Sequence, residues 1–215
     1  MEKTIPYATA GRNIVVLILF LFTARSAAGQ DRDIEWLRDV YHHRNTSLSG
    51  TMKFLSDSYI PLNAAVPIGQ LIYGYASHDK QSVQNGWQTA GGIAVTAVLA
   101  EASKYIVDRK RPYETYSDII PYNYEKDASM PSGHTAVCFS TATSLSLEYP
   151  KWYIITPSFL YATTIAYSRL YLGEHYPSDV LVGALLGAGS SYLSYEGMKW
   201  LQHRKHKKQH VTNEP

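Results

Sequence analysis

The sequence predicts an all-α protein, a compact helical bundle, and three features carry that expectation. Five blocks, residues 58–77, 81–100, 128–147, 152–168 and 180–195, contain no Asp, Glu, Lys or Arg. These blocks are rich in Ala, Leu, Gly and Tyr, and their small residues suit close helix packing. The formal charges collect in the segments between them, where Pro, Gly and Asp mark turns. Several blocks are shorter than a comfortable membrane span, and the mean hydropathy is −0.22. Hydropathy alone therefore leaves a soluble bundle and a compact membrane bundle both open.

The elements follow in order. Lys3 and Arg12 precede the apolar run IVVLILFLF (14–22), and the small residues Ala27, Ala28 and Gly29 follow it. This is the pattern of a secretory signal peptide over 1–29, with an uncleaved anchor as the alternative; either implies export. The segment DRDIEWLRDVYHHRN (31–45) places Ile34, Leu37, Val40 and Tyr41 at helical spacing among charges, as in a surface or membrane-skimming amphipathic helix. The apolar blocks then form one bundle domain over 30–200, and a basic tail occupies 201–215. At 215 residues the chain is long enough for one core and too short for two full domains.

Composition excludes some classes. Hydrophobic residues make up 45% and charged residues 18%, too apolar for a disordered chain. A net charge of +2 argues against a nucleic-acid partner. The 18 tyrosines suit a boundary between dry and wet surroundings, such as a membrane interface or a deep polar pocket. The one cysteine, Cys138, forms no intrachain disulfide, so cysteine usage does not set the redox compartment. His42 and His43 lack further ligands at metal spacing, and Asn45-Thr46-Ser47 fits the glycosylation pattern, which matters only in a eukaryotic secretory route.

If the blocks span a membrane with the mature N-terminus outside, HDKQSVQNG (78–86), EYPK (148–151) and the tail HRKHKKQH (203–210) share the cytoplasmic side. That places the basic tail inward, as the positive-inside tendency requires. The polar loop 104–132 and the stretch 169–179 then share the outer side.

Three charged clusters interrupt the apolar pattern. KYIVDRKRP (104–112) sets Lys104 about two turns back on a helix, and Pro112 biases Arg111 to the point where that helix gives way to a loop. MPSGHT (130–135) opens the next apolar run with Ser132 and Gly133 at a capped turn and His134 at the helix mouth. Such a turn leaves backbone N–H groups free for an anion. SRLYLGEHYPSD (168–179) ends one helix at Arg169 and starts another at Pro177, with Asp179 one turn beyond His175. A carboxylate behind an imidazole fixes its tautomer and leaves the other nitrogen free to act. Each cluster alone also fits a solvated basic helix end, a capped turn, or a local His–Asp bond beside an Arg169–Glu174 pair.

Taken together, Lys-x6-Arg-Pro, then Pro-Ser-Gly-His, then Ser-Arg-x5-His-x3-Asp resembles the signature of the type 2 phosphatidic acid phosphatase superfamily. That superfamily groups lipid phosphate phosphatases, bacterial acid phosphatases and vanadium haloperoxidases. Lys104, Arg111, Pro112, Pro131, Ser132, Gly133, His134, Ser168, Arg169, His175 and Asp179 fill every position of it. The resemblance implies a membrane-embedded bundle of that kind, with its active site at helix ends on one side. It also implies a phosphoric monoester hydrolase that needs no metal and no cofactor.

In that scheme Lys104, Arg111 and Arg169, with Ser132 and Gly133, bind the phosphate. His175 is the nucleophile, Asp179 orients it, and His134 protonates the leaving group. Glu174 has no role there and reads as a solvated carboxylate or the partner of Arg169. A phosphorylated lipid at the periplasmic face of a bacterial inner membrane is the expected substrate, and the compact spacing resembles periplasmic lipid A phosphatases. Prenyl pyrophosphate, phosphatidylglycerol phosphate and a soluble periplasmic acid phosphatase are the alternatives. A haloperoxidase usually comes on a much longer chain, and a binding scaffold would not need His134, His175 and Asp179 together. The loop 113–126, with four tyrosines, would wall the entrance.

Overall fold

The computed structural model describes residues 27–212, which hold helices and loops and no strand. The basic and apolar parts of the leader lie outside the described residues. In chain order the elements are α1 (Ala27–His42), a 3-10 turn (Thr46–Leu48), α2 (Ser49–Asp57), α3 (Tyr59–Ala76), α4 (Lys80–Val107), α5 (Pro112–Thr115), α6 (Gly133–Glu148), α7 (Trp152–Tyr171) and α8 (Pro177–Thr212). Helix α6 sits at the centre, packed most extensively against α8 and α7, with α4 beside both α6 and α8, and α3 against α4.

Small residues set how close these helices come. A Cβ on Gly187 would lie 2.0 Å from the Ala136 carbonyl oxygen, and one on Gly183 would lie 2.6 Å from that of Ser132. Four residues apart on one face of α8, the two glycines form a groove that admits the α6 backbone. Hydroxyl pairs then bind helix to helix: Ser144 to Ser191 at 2.7 Å and Thr96 to Ser190 at 2.6 Å.

The interior of the bundle is thus small and polar, while the large apolar side chains point outward. Ile68, Ile72, Val95, Val98, Leu160, Leu181 and Leu185 are all exposed. Helix α4 carries a segment long and apolar enough to cross a membrane, and only 22% of that window is buried. A soluble protein would bury such a surface; one surrounded by hydrocarbon has no need to. Tyr73, Tyr75, Trp152 and Tyr153 are exposed at the end where α3 and α4 meet and α7 begins, as an interfacial aromatic belt requires. These exposed apolar faces suit a bundle surrounded by hydrocarbon. The low mean hydropathy reflects polar α1, the long loop before α6, the basic tail and the Ser and Thr of the inner faces.

Several local expectations are corrected. HDKQSVQNG is mostly helix: Asp79 caps α4 by accepting from the Gln81 N–H at 3.0 Å, so the helix begins at Lys80. Helix α6 starts at Gly133, after the turn at MPSGHT, as expected, so the uncharged block 128–147 is a turn followed by a helix. Helix α2 lies in a stretch with no apolar block to announce it. The amphipathic α1 is present and does more than skim a surface. Ile34, Leu37 and Tyr41 pack with Ile119 and Tyr176 into a core cluster at one end of the bundle.

Candidate active site

The three sequence clusters meet at that end. Helix α4 stops at Val107 because Asp108 adopts a left-handed backbone, φ 44° and ψ 49°, a region Asp tolerates better than most residues. Lys104 therefore projects from the last turn of α4. Arg111 lies beyond the helix rather than at its end: it is the N-cap of the short α5, its N–H donating to Glu114 Oε2 at 2.6 Å. Arg169 comes from the last turn of α7, and Pro177 opens α8, as expected.

Every one of these cations holds a carboxylate. Asp127 bridges two of them, one oxygen on Lys104 Nζ and the other 2.6 Å from an Arg111 terminal nitrogen. Arg111 Nε also donates to the Asp127 carbonyl at 3.0 Å, and its second terminal nitrogen to the Glu174 carbonyl at 3.1 Å. Arg169 pairs with the Glu174 carboxylate and donates to Ser56 Oγ at 2.6 Å. Its Nε is buried with no acceptor, a donor left for a ligand. Burial acts to raise the Asp127 carboxyl, but the Lys104 hydrogen bond and the Arg111 charge outweigh it and bring it down to about 2. Asp127 is thus held as an anion between two cations.

His175 is 1% exposed, and its Nε2 lies 3.4 Å from the Arg111 guanidinium. Its Nδ1 faces Asp179 Oδ2 at 3.6 Å, close enough for charge to act but longer than the hydrogen bond expected. Oδ2 already accepts from Ser129 Oγ at 2.5 Å and from the Tyr176 N–H at 2.9 Å. Burial, opposed by Asp179 and reinforced by Arg111 and Arg169, lowers the imidazole pKa to about 4. The ring is consequently neutral in the mildly acidic range where an ordinary histidine is charged. With Nδ1 toward a carboxylate, its proton belongs there and the Nε2 lone pair faces the cations. Histidine ¹⁵N NMR at about pH 6 should show the His175 ring neutral and protonated on Nδ1; a doubly protonated ring would contradict this.

His134 stacks on Tyr59 of α3, ring centroids 3.7 Å apart, and lies in the field of Arg169, His175, Lys104 and Arg111. The Gly133 position is 3.8 Å from Lys104 Nζ, measured to where a Cβ would stand. Ser132 departs from expectation. Its side chain makes no capping bond, its hydroxyl accepts from Thr135 at 3.0 Å, and its N–H is committed to the Asp179 carbonyl at 3.0 Å. The donors left at this turn are the N–H groups of Gly133, His134 and Thr135, since the first intrahelical bond runs from Ala136 to the Ser132 carbonyl. Ser168, also in the signature, turns its hydroxyl back to the Ile165 carbonyl at 2.7 Å and serves its own helix.

Lys104, Arg111, His134, Arg169 and His175 therefore converge. Glu174 is not solvated: it is fully buried as the partner of Arg169. Sequence reasoning missed Asp127, Ser129, Ser56 and Tyr59. Asp127, beside Lys126 and three residues before Met130, offered only a polar loop as a signal. Tyr113 in the loop 113–126 is held by reciprocal bonds with Glu125, 3.0 and 2.9 Å, while Tyr122 and Tyr124 are exposed. Among the described residues no cluster of His, Cys, Asp and Glu could hold a metal ion.

Residues 85–203, more than half of the chain, match the model of the PAP2 superfamily. Over 189 residues the chain is 29% identical to the undecaprenyl-diphosphatase of Sulfolobus acidocaldarius, covering 85% of this chain and 89% of that one. It is 40% identical to the lipid A 4'-phosphatase of Bacteroides thetaiotaomicron over 114 residues, 48% of this chain and 51% of the relative. Its fold is similar to the crystal structure of a transmembrane PAP2-type phosphatidylglycerolphosphate phosphatase from Bacillus subtilis. The TM-score is 0.70 at 22% identity, over 86% of this chain and 95% of the other. With the three signature clusters gathered at one end of a matching bundle, the chain belongs to the PAP2 superfamily and is a phosphatase.

Proposed function

We propose that the protein removes phosphate from a lipid through a phosphohistidine formed on His175. The observation that carries the lipid reading is the rim of the site. Phe54, Tyr105 and Ile106 are exposed large side chains close in sequence to the residues that hold the cation cluster. Tyr105 and Ile106 directly follow Lys104, and Phe54 stands two residues from the serine that binds Arg169. Such a rim suits a ligand whose charged head enters the cluster while its chains stay in hydrocarbon.

A phosphate monoester carries up to about two negative charges, more than the one carboxylate it must displace. Binding moves Asp127 off Lys104 and Arg111, which then grip phosphate oxygens together with Arg169 Nε and the N–H groups of Gly133 and His134. These fixed donors stabilise the charge spread over the equatorial oxygens in the transition state. The His175 Nε2 lone pair forms the bond to phosphorus as the bond to the leaving oxygen breaks. His134 gives that oxygen a proton, then takes one from the water that cleaves the N–P bond and frees phosphate.

Lipid A is the favoured substrate, supported by the 40% identity to a lipid A 4'-phosphatase. A polyprenyl diphosphate is the second reading, supported by the length over which the chain matches an undecaprenyl-diphosphatase. Helix α8 runs from the site end to the basic tail, so a tail held in the cytoplasm places the site on the outer face of the membrane. The test is release of phosphate by purified protein from lipid A, polyprenyl diphosphate, phosphatidylglycerol phosphate, phosphatidate and a soluble aryl phosphate, with and without a chelator. Preference for lipid A, unchanged by the chelator, is expected because Lys104, Arg111 and Arg169 supply the positive charge. Preference for the aryl phosphate would contradict the lipid reading, and strong inhibition by the chelator would contradict the mechanism.

A further inference from the structure

Behind Asp179 lies a second buried charge that the phosphatase signature does not include. Asp179 Oδ1 accepts from Arg109 at 2.6 Å. The same arginine nitrogen donates to Ser178 Oγ at 2.6 Å, and its other terminal nitrogen to Asp33 Oδ2 at 2.7 Å. Asp33 in turn accepts from the Ser178 N–H at 2.9 Å and from its hydroxyl. The Arg109 guanidinium stacks over the Tyr176 ring, 3.9 Å from its centroid. Asp33 is 6% exposed and Asp179 not at all, so solvent does little to screen either. Asp33 belongs to α1, outside the residues that match the family model, and Ile34, Leu37 and Tyr41 seat that helix against Ile119 and Tyr176.

The arrangement has a consequence for charge. When Nε2 bonds to phosphorus with a proton still on Nδ1, the imidazole becomes cationic, and a negative charge behind it lowers the barrier. Asp179 paired with Arg109 alone would present almost none. With Asp33 on the far side of Arg109, the row reads minus, plus, minus, and one net negative charge remains behind the ring. Arg109 also holds Oδ1, leaving Oδ2 as the oxygen that faces His175.

We propose that Asp33 and Arg109 are positioning residues for phosphoryl transfer to His175, so that turnover requires α1 to be docked. This rests on the phosphohistidine reading. The experiment compares Asp33→Asn, Arg109→Gln and the double variant in the full-length protein, measuring kcat, KM and inhibition by inorganic phosphate. Asp33→Asn keeps the side-chain shape and should lower kcat about 10- to 100-fold, with KM and inhibition by inorganic phosphate nearly unchanged because the phosphate clamp is intact. The double variant again leaves one net negative charge, on Asp179, and should turn over faster than Asp33→Asn.

A double variant at or below the multiplied losses of the two single ones overturns the proposal, as does a change confined to KM. If Asp33→Asn cannot be purified folded, the double variant, which lacks the unmatched arginine, decides. A kcat more than about 100-fold below wild type then overturns it. Should His175→Asn remain active, the phosphohistidine reading fails; an inactive His175→Asn beside a fully active Asp33→Asn sinks only the charge row.

Discussion

Replacing His175 by asparagine is expected to lower kcat by at least about ten-thousandfold while competition by inorganic phosphate changes little, since losing a covalent nucleophile removes the reaction path. Asparagine keeps a polar group near Asp179 but offers no lone pair to phosphorus. The donors that hold the phosphate oxygens come from Lys104, Arg111, Arg169 and the start of α6, and none of them depends on the imidazole for its place. Arg111 is fixed by the Asp127 and Glu174 carbonyls, and Arg169 by Ser56 and Glu174. The effect should therefore fall on kcat. A variant that retains more than about one part in a hundred of wild-type turnover would contradict a nucleophilic role.

The second large effect is expected at Arg111. Its guanidinium reaches Asp127 Oδ1 at 2.6 Å, the Asp127 carbonyl at 3.0 Å and the Glu174 carbonyl at 3.1 Å, and lies 3.4 Å from His175 Nε2. Only a planar fork with several N–H groups spans those points, and at 2% side-chain exposure no water substitutes for a missing donor. Arg111→Lys keeps the charge but collapses the fork to one ammonium. It leaves the Glu174 carbonyl without its partner and places charge away from the reacting oxygen. A loss in kcat/KM of about 100- to 1000-fold is expected, the scale seen when one preorganised donor is removed from a transition-state site. A loss below about fivefold would show that charge alone matters there.

The helices were legible because their apolar blocks are bounded by turn-forming residues, and the site because three short motifs each place a charged group at a helix end. What sequence could not give were contacts across long separations. Asp33 meets Ser178 from 145 positions away, and Ser56 meets Arg169 from 113. Nothing local in DRDIEWLRDV distinguishes Asp33 from Asp31 or Asp39; only the face on which Ile34 and Leu37 seat α1 turns Asp33 inward. The Asp127 bridge was hidden likewise, since a loop carboxylate has no periodicity to report its direction. Ser132 was misread in part because a capping serine and a buried one look alike in sequence; its N–H is committed by the close approach of α8 at Gly183. Glu174 read equally well as solvated or paired until burial decided for the pair with Arg169.

The central claim is that phosphate passes through the Nε2 atom of His175. It is tested most directly by mixing purified protein with a fast-reacting phosphate ester for milliseconds, quenching in alkali, where phosphohistidine survives, and locating the phosphate by mass spectrometry and ³¹P NMR. The account predicts one phosphoryl group on the peptide containing His175, attached through Nε2 and absent from His175→Asn. Phosphate on His134, on a serine, or on no residue while product forms in a burst would contradict it.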